Sequence, residues 1–184
     1  LDRRADLALL FRHYPRDYVA LNANPFAATS GARNETGLYL GLELRPARQW
    51  TLNAYVDLWR HPWLRFDADA PSRGREFRGR LTYYRKRRLR VYLEVREEVK
   101  EVNAPRNDTK LNFGIPARIF QTRLHIGNQL TPALELRTRL DWGYSENEVD
   151  GRSAGVALYQ DVLYRPIGFP VSFTARFSVF DTEG

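Results

Sequence analysis

The feature that most constrains this chain is a rhythm of alternating apolar and polar residues about ten long, repeated with turns between. Trp50 to Arg60 carries it most cleanly. Leu52, Ala54, Val56 and Leu58 fall on one face, and Thr51, Asn53, Tyr55, Asp57 and Trp59 on the other. Period-two alternation of this length predicts a strand with one face in an apolar medium and the other in a wet one. Repeated along a chain, it predicts the wall of a transmembrane β-barrel.

Composition is compatible with that reading. The mean hydropathy is −0.54, and 43% of the 184 residues are hydrophobic, but no window holds eighteen consecutive apolar residues. A membrane-spanning helix is therefore excluded. A membrane strand is not, because it needs an apolar side chain only at every second position. Absence of cysteine excludes disulfides, thiolate metal sites and a cysteine nucleophile.

The net charge of +7 could suggest nucleic acid as a partner. Its distribution argues against one. All basic residues except Lys86, Lys100 and Lys110 are arginine, and they are spread through strands and turns. Arg78, Arg80, Arg88, Arg90, Arg96, Arg137, Arg139 and Arg176 share the polar phase of their segments.

Nine strands are expected: Ala5 to Tyr14, Glu35 to Arg45, Trp50 to Arg60, Arg75 to Arg85, Arg88 to Val99, Arg118 to Gly127, Leu134 to Tyr144, Ala154 to Arg165 and Val171 to Asp181. In the first, Ala8 and Leu10 blur the phase, and Gln160 interrupts the apolar face of the eighth. Turn formers Asn24, Pro25, Gly31 and Asn34 mark a long connection after the first strand. Tight turns are expected at Pro46 to Gln49, at Lys86 and Arg87, through Asn128, Thr131 and Pro132, and at Pro166 to Pro170. The other connections read as long loops, including Ser145 to Ser153 and a stretch through Asn103, Pro105, Asn107 and Asp108 that runs to Pro116, since proline is disfavoured in a paired strand.

Bacterial barrels have short periplasmic turns and longer extracellular loops, so this alternation assigns the tight turns to the periplasm. Trp50, Tyr83 and Tyr164 lie beside those turns and Trp59, Trp63, Trp142 and Tyr144 near the outer loops, as interfacial aromatic girdles require. Single-chain bacterial barrels carry an even number of strands, so nine are expected to form part of a wall. The expected unit is a single barrel segment over residues 1–184, incomplete at both ends and ending at the outer surface near Gly184.

Four stretches also carry a family resemblance. They are Asn34 to Gly41, Pro62 to Arg65 followed by Asp69 to Ser72, Tyr159 to Asp161 with Tyr164 to Pro166, and Ala175 to Phe177 with Phe180 to Thr182. Together they resemble the C-terminal outer-membrane barrel region of bacterial envelope proteins known as helix-hairpin-helix-domain-containing proteins. The resemblance implies an architecture and a location, with a helical region before the barrel and further strands after it, but no activity. The helix-hairpin-helix part is not in this sequence, so no nucleic-acid role is carried over.

No constellation in the sequence announces chemistry. His13, His61 and His125 have no metal-ligand spacing, the serines Ser72, Ser153, Ser172 and Ser178 lie in no Gly-x-Ser-x-Gly turn, and Gly151, Gly155 and Gly168 make no phosphate loop. Asp67, Asp69 and Asp108 could supply oxygens to calcium, but their spacing is that of solvated loops. Neither cofactor nor metal is expected. The strongest functional hint is the charged face: Arg78, Arg80, Arg90, Arg96, Arg137 and Arg139 beside Asp57, Glu94, Glu135 and Asp141, with Glu43 and Asp161 adding further acids. They are expected to line the interior, either bracing it by ion pairs or favouring anionic solutes. Leu40, Leu52, Val56, Leu93 and Phe173 are expected to face lipid. The resulting expectation is a non-enzymatic outer-membrane barrel protein, a solute passage or an envelope anchor, whose partners are outer-membrane lipid and the remaining strands of the same barrel or a partner chain. The alternative is a soluble antiparallel barrel or sandwich that binds an anionic ligand, with its apolar face turned into a core.

Overall fold

The structure is a computed structural model that describes residues 4–19, 25–29, 32–66, 68–86, 88–104, 112 and 114–183, the side chain of Glu183 excepted. The expected turn and loop residues Asn24, Gly31, Asp67, Arg87, Pro105, Asn107, Asp108 and Gly184 lie outside the described residues. Nine strands form one antiparallel sheet in sequence order: β1 (Ala5–Tyr14), β2 (Glu35–Ala47), β3 (Trp50–His61), β4 (Ser72–Arg85), β5 (Leu89–Asn103), β6 (Gly114–Gln129), β7 (Leu134–Asn147), β8 (Gly151–Tyr164) and β9 (Phe173–Glu183). The expected up-and-down meander is the observed topology. The described residues contain no helix, and no pairing joins β1 to β9, so the sheet is open.

Register turns nine separate alternations into two continuous faces. Leu44, Leu52, Leu81, Leu93, Leu124, Leu140 and Leu158 stand directly opposite one another across β2 to β8, continued by Ala5 on β1 and Val179 on β9. A slip of one residue anywhere would put a polar side chain into that row. The apolar residues above and below it do not stay level. On β2 and β3 they run from the leucine row toward the long-loop end, as Leu38 to Leu44 and Leu52 to Leu58. On β8 and β9 they run the other way, to Tyr164 and Phe173 near the short turns. The band thus drifts by about six residues over seven strand intervals. With a rise of about 3.4 Å per residue and a spacing of about 4.8 Å, a straight band would cross these strands at about 30° from their perpendicular.

Among the described residues, no second sheet or helix covers either face. The accessible surface is 13507 Å², against roughly 9000 Å² for a compact monomer of this mass. Among the described residues the buried hydrophobic side chains are only Ala32, Trp59, Ala68 and Leu163. The sandwich alternative, in which the apolar face packs into a core, finds no covering sheet here.

The strands exceed the expected boundaries mainly at the long-loop end. Alternation ends where both faces become polar, but the backbone ladder continues beyond, pairing Glu101 with Pro116 and Asn147 with Gly151. Pro116 was expected to end a loop and instead lies within β6. Pairing of β6 with β7 begins only at Ala117, so at Pro116 the strand has one neighbour and a side on which no donor is needed. The expected long loop Ser145 to Ser153 is a tight turn at 148–150. Asn147 Oδ1 accepts from the backbone N–H groups of Val149 at 2.9 Å and Asp150 at 2.7 Å, and Gly151 takes φ 74°. By contrast β8 to β9 is the longer connection, 165–172, and the start expected at Val171 falls at Phe173. Pro46 is absorbed by a register shift between Leu44 and Ala47.

Close approach of neighbouring backbones predicts an asymmetry between two strand glycines. A Cβ at Gly143 would lie 2.6 Å from the Phe120 carbonyl oxygen, whereas at Gly79 the nearest atom is the Phe77 ring edge at 3.3 Å. Gly143→Ala is expected to lower stability by about 1–3 kcal/mol and Gly79→Ala by clearly less, read by thermal melts of the strand signal in detergent.

Candidate functional site: the braced polar face

On the polar face, every side chain expected to line an interior falls in phase: Asp57, Arg78, Arg80, Arg90, Glu94, Arg96, Glu135, Arg137, Arg139 and Asp141. The five residues expected to face lipid all lie on the opposite side, where Leu40, Val56, Leu93 and Phe173 are exposed and Leu52 is half-buried. Burial is inverted relative to a water-soluble domain. Glu94 and Asp57 are 6% and 8% exposed, whereas Leu93 is 49% exposed. With no second layer available, the polar side chains shade one another.

At the long-loop end the face is organised by Arg12 on β1. Its Nε donates to Glu35 at 2.5 Å, and Nη1 and Nη2 donate to the two oxygens of Asp57 at 2.6 and 3.1 Å. Arg12 is 3% exposed and Glu35 completely buried. The guanidinium reaches from β1 to β3 because Gly37 lies between them. A Cβ there would sit 2.5 Å from Arg12 Cζ. Gly74 does the same for Trp59, whose ring lies over it and is buried on the polar face, so Trp59 does not belong to an outward aromatic girdle.

The connection between β1 and β2 is tied to this hub. Glu35 also accepts from the Ala28 N–H at 3.0 Å, and Phe26 packs edge-on against Tyr39 with Arg12 over its ring. Asn34, at φ 56°, donates to the Trp63 carbonyl at 2.7 Å and accepts from its N–H at 3.0 Å. That carries the tie to the β3–β4 connection. From there Arg65 donates to Ser72 and the Glu101 carbonyl, and Asp69 bonds to Asn103 and Asn112. Asp69 is thus engaged in loop stitching, and no group of three metal-ligating side chains occurs among the described residues.

Farther along, rows of like charge are neutralised by diagonal neighbours. Asp57, Glu76 and Glu98 stand side by side across β3 to β5, an arrangement that is destabilising by itself. Arg12 engages Asp57, while Arg96 from the adjacent row bridges Glu76 at 2.8 Å and Glu98 at 2.7 Å, and Tyr55 donates to Glu76. Glu94 receives Arg78 at 2.9 Å together with Arg80. Arg123 makes a two-pronged bond to Asp141 at 2.7 and 3.2 Å, with Arg139 also on Asp141. Toward the short turns, Arg137 holds Glu135, Arg176 holds Asp161, and Tyr92 stacks on His125. Arg139 and Arg176 lie over Tyr159. Arg90 lies over Tyr92 and has no carboxylate partner among the described residues.

Sequence reasoning found the ladder but missed its buried centre. Arg12, Glu35, Glu76, Glu98 and Arg123 were not singled out, although Arg12 continues the phase opposite Leu7, Leu9 and Phe11. The obstacle was Leu10, which lies on the polar face opposite Tyr39. Gln160 also acquires an explanation: it stands opposite Thr138 in the apolar face, and the Thr138 hydroxyl donates to its Oε1 at 2.7 Å.

Two of the histidines hydrogen-bond near the long-loop end, His13 to Thr36 and His61 to the Asn34 carbonyl; His61 stands opposite Ser72 across β3 and β4, but among the described residues no histidine makes a hydrogen bond or ion pair to a serine or a carboxylate. Comparison with known families, with curated proteins and with solved structures finds no match for the chain.

Removing the hub cation leaves two carboxylates with no compensating charge. Arg12→Ala is expected to cost about 3–5 kcal/mol in denaturant unfolding. Arg12→Lys should recover only part of this, because an ammonium cannot serve both carboxylates with a planar fork.

Proposed function

We propose that this chain forms part of the wall of a β-barrel in a bacterial outer membrane, with the leucine face toward lipid and the charged face toward the interior. It acts without catalytic chemistry, as a braced envelope anchor. One observation carries the reading: one broad apolar face, in register across nine strands, largely exposed and interrupted by few polar side chains such as Gln160 and Glu97, backs a polar face whose charges are largely paired. A contiguous apolar surface of this extent is far larger than the few hundred Å² that a soluble monomer leaves open. The diagonal drift of the apolar band supports the same reading. Strands in a barrel tilt by about 35–45°, so a level hydrocarbon layer must cut obliquely across their register. Charged residues in the apolar phase gather toward the end of the band, as at Arg75, Arg118 and Arg152, where the cost of charge facing lipid falls to about 0–1 kcal/mol, and Glu97, which stands between Phe77 and Phe120, is paired with Arg118.

The family resemblance contributes to the proposal through its own residues. The stretch Asn34 to Gly41 supplies Asn34, Glu35 and Gly37, the parts around which Arg12 and the loops assemble. Passage of small anionic solutes is a second reading. It is favoured by Arg90, which has no carboxylate partner among the described residues, and by the two arginines that share Asp141.

Because the chain has no cysteine, single-cysteine variants report each face without background. In lipid vesicles, Leu40→Cys, Leu93→Cys and Phe173→Cys are expected to resist a water-soluble maleimide, while Tyr55→Cys and Arg139→Cys react. Equal labelling of both sets would overturn the membrane reading. For the second reading, a reversal potential across a planar bilayer in a salt gradient should favour anions and move toward zero in Arg90→Glu. An electrically silent bilayer would leave the anchor alone standing.

A further inference from the structure

A groove of about 750 Å³ lies where the apolar face meets its charged margin at the long-loop end. Its apolar floor is Phe11, Leu38, Leu58, Val99 and Pro116, all in the apolar phase of β1, β2, β3, β5 and β6. Along its margin stand Arg60 and Arg73, directly paired on β3 and β4, while Arg75, diagonal to Arg60, stands in the floor row itself between Leu58 and Val99. Diagonal neighbours of this kind are about 7–8 Å apart. All three are exposed, and among the described residues Glu101 is the only carboxylate lining the groove. Glu101 is engaged by Arg73, whereas Arg60 and Arg75 make no ion pair among the described residues. Two uncompensated guanidiniums therefore border an apolar trough on the side away from the braced ladder.

We propose that this groove binds an anionic, phosphate-bearing membrane lipid, its acyl chain along Phe11, Leu38 and Leu58 and its headgroup phosphate on Arg60 and Arg75. The inference rests on the membrane reading above and deepens it. Charge complementarity selects the headgroup. Guanidiniums match phosphate in a fork geometry that a zwitterionic headgroup answers only in part. Continuity of the trough with the leucine face selects an acyl chain over a free anion: a soluble oxyanion would use the arginines and leave the apolar floor in contact with nothing. Long arginine stems can lie along Leu58 and Phe77 while their heads reach the interface, which is how cations are tolerated at the edge of a hydrocarbon layer.

The test uses the chain reconstituted in vesicles of equal phosphatidylcholine and phosphatidylglycerol, then extracted in mild detergent and weighed by native mass spectrometry with bound lipid retained. Phosphatidylglycerol is expected to be enriched on the wild-type chain. The enrichment should fall by about fivefold in Arg60→Ala or Arg75→Ala, and by about thirtyfold in the double variant, on the scale of one surface cation per anionic headgroup. Arg48→Ala and Arg88→Ala, which remove the same charge near the short turns, should leave it unchanged. Equal loss in those controls, or an unaltered enrichment in the double variant, overturns the site. Full displacement of the lipid by inorganic phosphate would reassign it to a soluble anion and overturn it as well. The cysteine labelling described above, done on the same vesicles, separates the two failures. A chain that labels on both faces has lost the membrane reading, and one that labels on one face without lipid enrichment has lost only the groove.

Discussion

Everything in this molecule depends on register. A sheet of one layer has no core to correct a misplaced side chain, so the two faces stay distinct only if each strand is paired in phase with the next. The row that begins at Leu44 and ends at Leu158 records that phase across seven strands, and the charged rows follow from it automatically. Once the leucines are opposed, Arg80 must oppose Glu94 and Arg123 must oppose Asp141, because they are the neighbours one residue away.

The polar face then faces a different problem, that of holding many charges in a partly shaded space. Isolated exposed ion pairs stabilise little, but here several acids and arginines are shared across neighbouring strands. Glu94 holds Arg78 and Arg80, Arg96 joins Glu76 to Glu98, and Arg12 joins Glu35 to Asp57. Arginine suits this role better than lysine, since its fork serves two carboxylates at once without giving up its charge. The scarcity of lysine, which first looked like a matter of composition, is thus explained by the geometry of the ladder. Most arginines of the charged face are engaged by acids, as are Arg73 and Arg118 on the opposite face, while Arg60 and Arg75 make no ion pair among the described residues.

The long-loop end adds a further layer of order. Asn34, Glu35 and Gly37 occupy adjoining positions at the start of β2, yet they serve three different partners: the Trp63 backbone, the Arg12 guanidinium and the space that guanidinium crosses. Such a junction couples three connections to one buried cation. It explains why the strongest concentration of buried polar side chains lies at that end and not at the middle of the sheet.

From the sequence alone, the period-two alternation determined the strand count, the antiparallel meander and the phase of nearly every strand, because alternation is a local property of the backbone. It was legible even in the ten residues of the charged face and the five of the apolar face, which fall on opposite sides of the sheet as their phase requires. Strand ends were not legible, since the ladder outlasts the alternation and hydrogen bonds need no particular side chain; Pro116 and the 148–150 turn are the clearest cases. Only the tertiary structure decided which acid meets which arginine, that the Trp59 ring is buried over Gly74, and that Arg12 is the hub. Those facts depend on the stagger between strands and on where glycines leave room, and neither is carried by any one strand's pattern.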